Sequence, residues 1–432
     1  MIRGSAKTTL LASAVALTAF LAPQTASGAG SGSFTSTGSM ANMRSGPAGA
    51  LLPDGRVLVA GGYGGSFLQS AEAFNPASGA FSSAGIGPMT SQRSSAGGAP
   101  LADGRVVLAG GNPLAAMATA ELFNPATGGF TAVAGTLNVP RQEPAAAKLA
   151  DGRVLFAGGY DSSGPSYLRT AEIFDPATGG FTLLSSVMGA RRDYAAAAPL
   201  QDGRVLIVGG DNGISPALAS AEVYNPATSS FSAVGSMETP RTGPSAAPLP
   251  DGRVLVAGGN DGTKNLSSAE VFNPATNSFS SAGIGSMAGP RLQAEATPLA
   301  DGRVLIAGGT PDGIASLSSA EIYAATNSFS FKVKGKKLIV SVQATGTVSV
   351  ADKASSRGAS AAKKKHKALL KPSSASGDPP SITVPLKLSK KARKKLKQTG
   401  KVKVKARIVF TPQGGVADTR TAKLKIKRAK KK

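Results

Sequence analysis

Six arginines recur at a fixed distance from a turn signal. Arg44, Arg93, Arg141, Arg192, Arg241 and Arg291 each stand ten residues before an Asp-Gly dipeptide. A guanidinium pairs bidentately with carboxylate or phosphate, so such a set could form an anion site. The regularity also fits a structural role in which each arginine meets a repeated carboxylate, and that reading is preferred for the full set. The residues just after these arginines are mostly Ser, Gly, Ala or Pro. The exceptions are Gln142 and Glu143, Asp193 and Tyr194, and Gln293 and Glu295. Residues that depart from a repeat are where a site is expected. Paired carboxylates can perform acid–base chemistry or merely line a wet channel. The candidate ligand-binding set is therefore the six arginines with Glu143, Asp193, Tyr194, Gln293 and Glu295.

Other chemistry is excluded by composition. The chain has no cysteine and a single histidine, His366, inside a lysine run. Disulfides and thiolate metal sites are ruled out, and a Ser–His–Asp triad lacks a usable base. The Asp-rich turns do not follow EF-hand spacing. No catalytic residue, metal or cofactor is assigned.

The elements that position these residues are read from a repeat. Asp-Gly-Arg begins at Asp54, Asp103, Asp151, Asp202, Asp251 and Asp301, in steps of 48 to 51 residues. An apolar run and a Gly-Gly pair follow, then Ala-Glu, an aromatic two residues on, usually Asn-Pro-Ala-Thr, and a Phe. Asp-Gly is a hairpin turn signal. The apolar run is a strand covered on both faces. The glycines allow close backbone approach, and Asn-Pro is turn chemistry. Each unit of about 50 residues reads as a four-stranded antiparallel meander. Loops after Gly-Gly, beginning at Tyr160, Asp211 and Asn260, vary as ligand-specifying loops do.

The Gly-Gly doublets, the third-strand aromatics (Phe74, Phe123, Phe174, Tyr224, Phe272, Tyr323) and the fourth-strand Phe resemble kelch repeats, with Phe where that family usually has Trp. The resemblance covers residues 31–330. It implies an all-β fold, a six-bladed kelch-type β-propeller, with the first strand of each blade innermost and the arginines around one mouth of the channel. Copper oxidases of the galactose-oxidase type share such blades, but their histidine and Cys–Tyr chemistry is missing from this sequence. Sialic-acid mutarotases share them too and use Arg and Glu.

The Phe-Gly-Met pattern of the fourth strand also occurs early, at Phe34. Ser33 to Met40 is expected to supply the outer strand of the last blade and clasp the ring. Residues 1–29 have the order of a secretory signal peptide: Arg3 and Lys7, a short apolar run from Leu10 to Ala22, then small residues. Residues 331–432 carry 30 Lys and Arg against 3 Asp, a net +27, whereas residues 31–330 are net −5. This basic tail reads as a small β-sandwich-like domain, resembling modules that end some secreted actinobacterial proteins. Its expected parts are a strand pair turning near Gly346, a disordered loop at about 352–380, a strand at Ile382–Leu388, a short helix from Ser389 to Gln398 capped by Ser389 and Gly400, and strands at Lys401–Thr411 and Thr421–Lys427.

The expected function is that of an exported binding or scaffold protein, secreted or wall-associated, recognising a glycan or protein at the propeller face. The basic tail would hold it to anionic cell-wall polymer. Nucleic acid is disfavoured, because aromatics for base stacking are scarce and the chain is read as exported. No membrane-spanning segment is expected in the mature chain. The alternative function is a kelch-type carbohydrate mutarotase or epimerase.

Overall fold

The computed structural model describes residues 32–111, 115–164, 166–325, 329–342, 346–352, 369–377, 381–412 and 418–427. The signal-like segment and His366 lie outside these residues. Among them, no helix is long and apolar enough to cross a membrane.

Six four-stranded antiparallel sheets correspond to the six repeats. In the third, Ala145–Lys148 pairs with Val154–Ala157, which pairs with Ala171–Asp175, which pairs with Gly180–Leu183. The second strands, such as Val57–Ala60 and Val205–Val208, are buried along their whole length. Their β-branched and aliphatic side chains fill both interfaces with neighbouring blades. One core cluster, for example, joins Leu58 and Ala60 to Val106, Leu108 and Phe123 of the next blade. The innermost strands are mostly Ala, Gly, Ser and Pro, with Leu51, Lys148, Glu295 and Thr297 as the exceptions, because six of them converge on a narrow channel.

The ring closes without a covalent bond. Gly32–Ser36 pairs antiparallel with Ala320–Ala325, placing Phe34 opposite Tyr323. The two rings lie 5.0 Å apart, matching the 4.9 Å between Phe74 and Phe81 in the first blade. The N-terminal strand thus occupies the place that Phe81, Phe130 and their counterparts hold elsewhere. Phe329, the last Phe of the repeat pattern, belongs to the C-terminal domain.

The Gly-Gly doublets have a definite task. The second glycine donates its N–H to the carbonyl of the next blade's arginine at 2.8 Å, as Gly62 to Arg93 and Gly159 to Arg192. Gly309 to Arg44 joins the sixth blade to the first. A Cβ on Gly158 would stand 2.2 Å from the Arg192 carbonyl oxygen, so no other residue fits there.

The C-terminal domain packs a three-stranded sheet (Phe329–Lys334, Lys337–Val342, Ser381–Pro385) against a four-stranded one. The latter runs in the order Ser373–Gly377, Gly346–Asp352, Lys401–Pro412, Asp418–Lys427. Alternation in the long strands sends Val402, Val404, Ile408 and Phe410 inward to a core shared with Leu338, Val340 and Ile382. The helix is Lys390–Thr399, with Ser389 accepting from the Ala392 N–H and Gly400 left-handed at its end.

Two expectations are corrected. Gly346 does not turn a strand pair: Lys337–Val342 pairs with Phe329–Lys334, and Gly346 opens a strand in the other sheet. Within the expected disordered loop, Ser373–Gly377 is an edge strand; residues 353–368 and 378–380 of it lie outside the described residues. The domain touches the propeller through Arg420, which donates to the Asp301 carbonyl at 3.0 Å and lies over the Phe329 ring. This contact is on the Asp-Gly-Arg side, where the inner strands end.

Candidate functional site at the channel mouth

Each repeated arginine is buried and ion-paired within its own blade. Arg44 meets Glu72, Arg93 Glu121, Arg141 Glu172, Arg192 Glu222, Arg241 Glu270 and Arg291 Glu321, at 2.7 to 3.1 Å. The guanidinium also donates to the carbonyl of the first glycine of the doublet, as Arg141 to Gly158 at 2.9 Å. The glutamate in turn accepts backbone N–H groups of the loop preceding the arginine, as Glu172 from Asn138 and Val139. These are structural staples, the reading preferred for the full set, and the six arginines are not ligand-facing as the candidate set had allowed: their donors are turned to their own blades and shielded from solvent.

Two residues after each arginine the backbone turns left-handed. The residues are Gly46, Ser95, Glu143, Tyr194, Gly243 and Gln293, with φ between 47° and 60°. They link the blades through a second, inner ring of backbone bonds: Ser95 N–H to Gly46, Glu143 N–H to Ser95, Gly243 N–H to Tyr194, Gln293 N–H to Gly243 and Gly46 N–H to Gln293. At the step from Glu143 to Tyr194, the Tyr194 N–H donates to Asp193 Oδ1 at 3.0 Å. The left-handed conformation costs a non-glycine residue roughly 1–2 kcal/mol. Glycine meets that demand in two blades, and side chains occupy it in four. Strained non-glycine backbone of this kind clusters at functional sites.

The side chains at these strained positions converge. Ser45 donates to Gln293 Oε1 at 3.1 Å. Tyr194 hydrogen-bonds both Gln293 and Glu143. Glu143 also meets Ser95 and Asp193. The network crosses the mouth of the channel from the first blade to the fourth. Burial, with the Asp193 charge beside it, holds the Glu143 carboxyl well above the usual carboxylate range. Burial raises Asp193 too. Two desolvated carboxyls in contact favour sharing a proton over ionising together.

Above the network opens a cavity of about 530 Å³. Its polar lining includes Ser95, Glu143, Tyr194, Asp211 and Gln293; its apolar and aromatic lining includes Tyr63, Phe67, Leu292 and Ile314. Tyr63 and Phe67 meet edge to face at 5.3 Å. Among the described residues, no lysine or arginine lines it. Glu295 lies apart from this group, in the channel of about 310 Å³ below. Its carboxylate accepts from Thr297 Oγ1 at 2.8 Å and from the Gly49 N–H, and burial raises its pKa to about 7. Gly49 is glycine because a Cβ would stand 2.5 Å from Glu295 Cγ. The sequence-based set missed Tyr63, Phe67 and Asp211, which sit in the variable loops after Gly-Gly.

A profile of the Kelch motif matches residues 194–238 and 241–283. Among solved structures, the one titled "Structure of YjhT" matches with a TM-score of 0.55 at 13% identity, covering 70% of this chain and 98% of that one. A fungal alcohol oxidase of the AA5 family, in complex with copper, matches with a TM-score of 0.51 at 16% identity, covering 88% of this chain and 85% of that one. At these identities the likeness is one of fold. No curated protein matches the chain. Among the described residues no group of three or more His, Cys, Asp or Glu could hold a metal ion.

Proposed function

The chain belongs to the kelch-repeat β-propeller family, and on that premise we propose that it is an exported binding protein whose channel mouth takes a neutral glycan. The observation that carries this reading is the convergence of Glu143, Asp193, Tyr194 and Gln293 at one cavity that Tyr63 and Phe67 also line. A sugar presents hydroxyls to the polar groups and a C–H face to the aromatic rings. An anionic ligand would meet carboxyls and no cation, so charged sugars are disfavoured. The signal-like N-terminus supports export, and the net +27 of residues 331–432 supports retention on anionic cell-wall polymer. The test is a glycan array probed with the full chain and with Gln293→Ala. Neutral glycans should bind the first and lose most signal with the second. Binding confined to sialylated or sulfated glycans would overturn the reading.

The carboxyl pair favours a second reading, carbohydrate mutarotation. A pair holding one proton can protonate the ring oxygen while accepting the anomeric hydroxyl proton. Exchange between the anomers of neutral aldoses, followed by NMR, should then be faster with the protein and lost in Glu143→Gln. No acceleration in any sugar that binds would leave a binding site without catalysis.

A further inference from the structure

We propose that the outer face of the strands Lys401–Pro412 and Asp418–Lys427 binds a linear poly(polyol phosphate), recognised through evenly spaced charge. The strands pair with Lys401 opposite Lys427, Lys403 opposite Lys425 and Lys405 opposite Lys423. All six lysines are exposed, because the alternate positions Val402, Val404, Leu424 and Ile426 are committed to the core. Ammonium-bearing residues therefore repeat about every 6.8 Å along each strand and face one another at about 5 Å between strands. Like charges directly opposite destabilise a sheet, and this sheet places three such pairs in succession.

Among the described residues, no exposed acid of the domain neutralises them. The acids of residues 331–432 are Asp352, Asp378 and Asp418. The first and last are buried, and Asp378 is outside the described residues. Arg407, opposite Thr421, extends the cationic file. Toward the other edge the same face carries exposed Thr347, Ser374 and Ser376, the Thr347 and Ser376 hydroxyls 2.7 Å apart. Ammonium groups beside hydroxyl donors suit phosphate oxygens. Phe329 and Phe410 are buried in the core, and no Trp exists to stack on a base. Sequence-tolerant binding of nucleic acid draws on such stacking, so a phosphate polymer without bases is the better fit.

This assignment rests on the polymer-holding role proposed for the C-terminal domain, and is independent of the glycan reading at the mouth. The probe is poly(glycerol phosphate), titrated with the full chain. If six lysines each meet a phosphate, the affinity should fall roughly 300-fold between about 50 and 200 mM salt, by analogy with single-stranded polyanions. In Lys403→Gln/Lys405→Gln/Lys425→Gln that fall should shrink to roughly 20-fold. The melting temperature of the unliganded variant should rise, since repulsion is removed. Lys391→Gln/Lys394→Gln/Lys395→Gln on the helix should keep most of the wild-type salt dependence. An unchanged salt dependence in the strand variant, or a lower melting temperature, overturns the surface. A single-stranded thymidine oligonucleotide of equal charge binding tenfold tighter overturns the polymer class. Absence of any polymer binding removes the holding role itself and leaves the glycan reading at the mouth standing.

Discussion

The propeller holds two layers of buried carboxyl chemistry within a few residues of each other, and they are built on opposite logic. In the outer layer, every blade repeats the same Arg–Glu staple, ion-paired and closed to solvent. In the inner layer, the position two residues on is glycine in two blades and a strained Ser, Glu, Tyr or Gln in the others. The first layer repeats because every blade needs it. The second diverges because one cavity, shared by all blades, needs different groups at different stations. Position in the fold is nearly the same; regularity separates scaffold from site.

The sharpest way to break that comparison is to remove one member of a staple. Glu172→Ala leaves the Arg141 guanidinium buried without its partner, and stability should drop by about 3–5 kcal/mol in chemical denaturation. A loss below about 1 kcal/mol would make the staple dispensable. The channel gives the next effect. Glu295 binds its proton more tightly folded than unfolded, so its stabilising contribution is full below pH about 4.5 and is lost as pH rises through about 7. Glu295→Gln should therefore match wild type in acid and exceed it by about 3 kcal/mol at pH 8. Equal stability of the two at pH 8 would place the carboxylate in a wetter setting than the channel suggests. At the strained ring, Glu143→Gly should hold or raise the melting temperature, because it removes about 1 kcal/mol of left-handed strain along with a desolvated carboxyl. A clear loss of stability would assign Glu143 to the scaffold. The smallest effect belongs to the solvent-facing pairs of the Asp-Gly-Arg turns. Arg105→Ala should cost less than about 1 kcal/mol, and a larger loss would mean that the turn, too, is a staple.

The sequence carried the fold further than the site. The period of Asp-Gly-Arg marks the blades, and the stray pattern at Phe34 marks the clasp, since it duplicates a strand that the last blade lacks. Alternation in Lys401–Pro412 shows its two faces. Ser373–Gly377 was illegible because its inward positions are Ser373 and Ala375, which give only a weak apolar alternation. The preferred reading of the arginines, each paired with a repeated carboxylate, matches the structure, and the repeated Ala-Glu, 28 to 31 residues after each arginine, supplies the partner. The strain of the inner ring was legible in principle. Gly46 and Gly243 occupy the same slot as Ser95, Glu143, Tyr194 and Gln293, and a slot that sometimes requires glycine declares a left-handed backbone. The aromatic wall was not, because Tyr63 and Phe67 lie in a loop whose approach to the mouth depends on the closed ring.

The most direct test takes the neutral glycan that binds best and titrates it against wild type, Glu143→Gly and Arg105→Ala, with melting temperatures measured on the same samples. Glu143→Gly should lose at least about tenfold in affinity, the scale of a hydrogen bond to a buried acidic group, while melting no lower than wild type, and Arg105→Ala should bind as wild type does. Unchanged affinity in Glu143→Gly, or a loss of stability in place of a loss of binding, would contradict the claim that the residues breaking the repeat form the site.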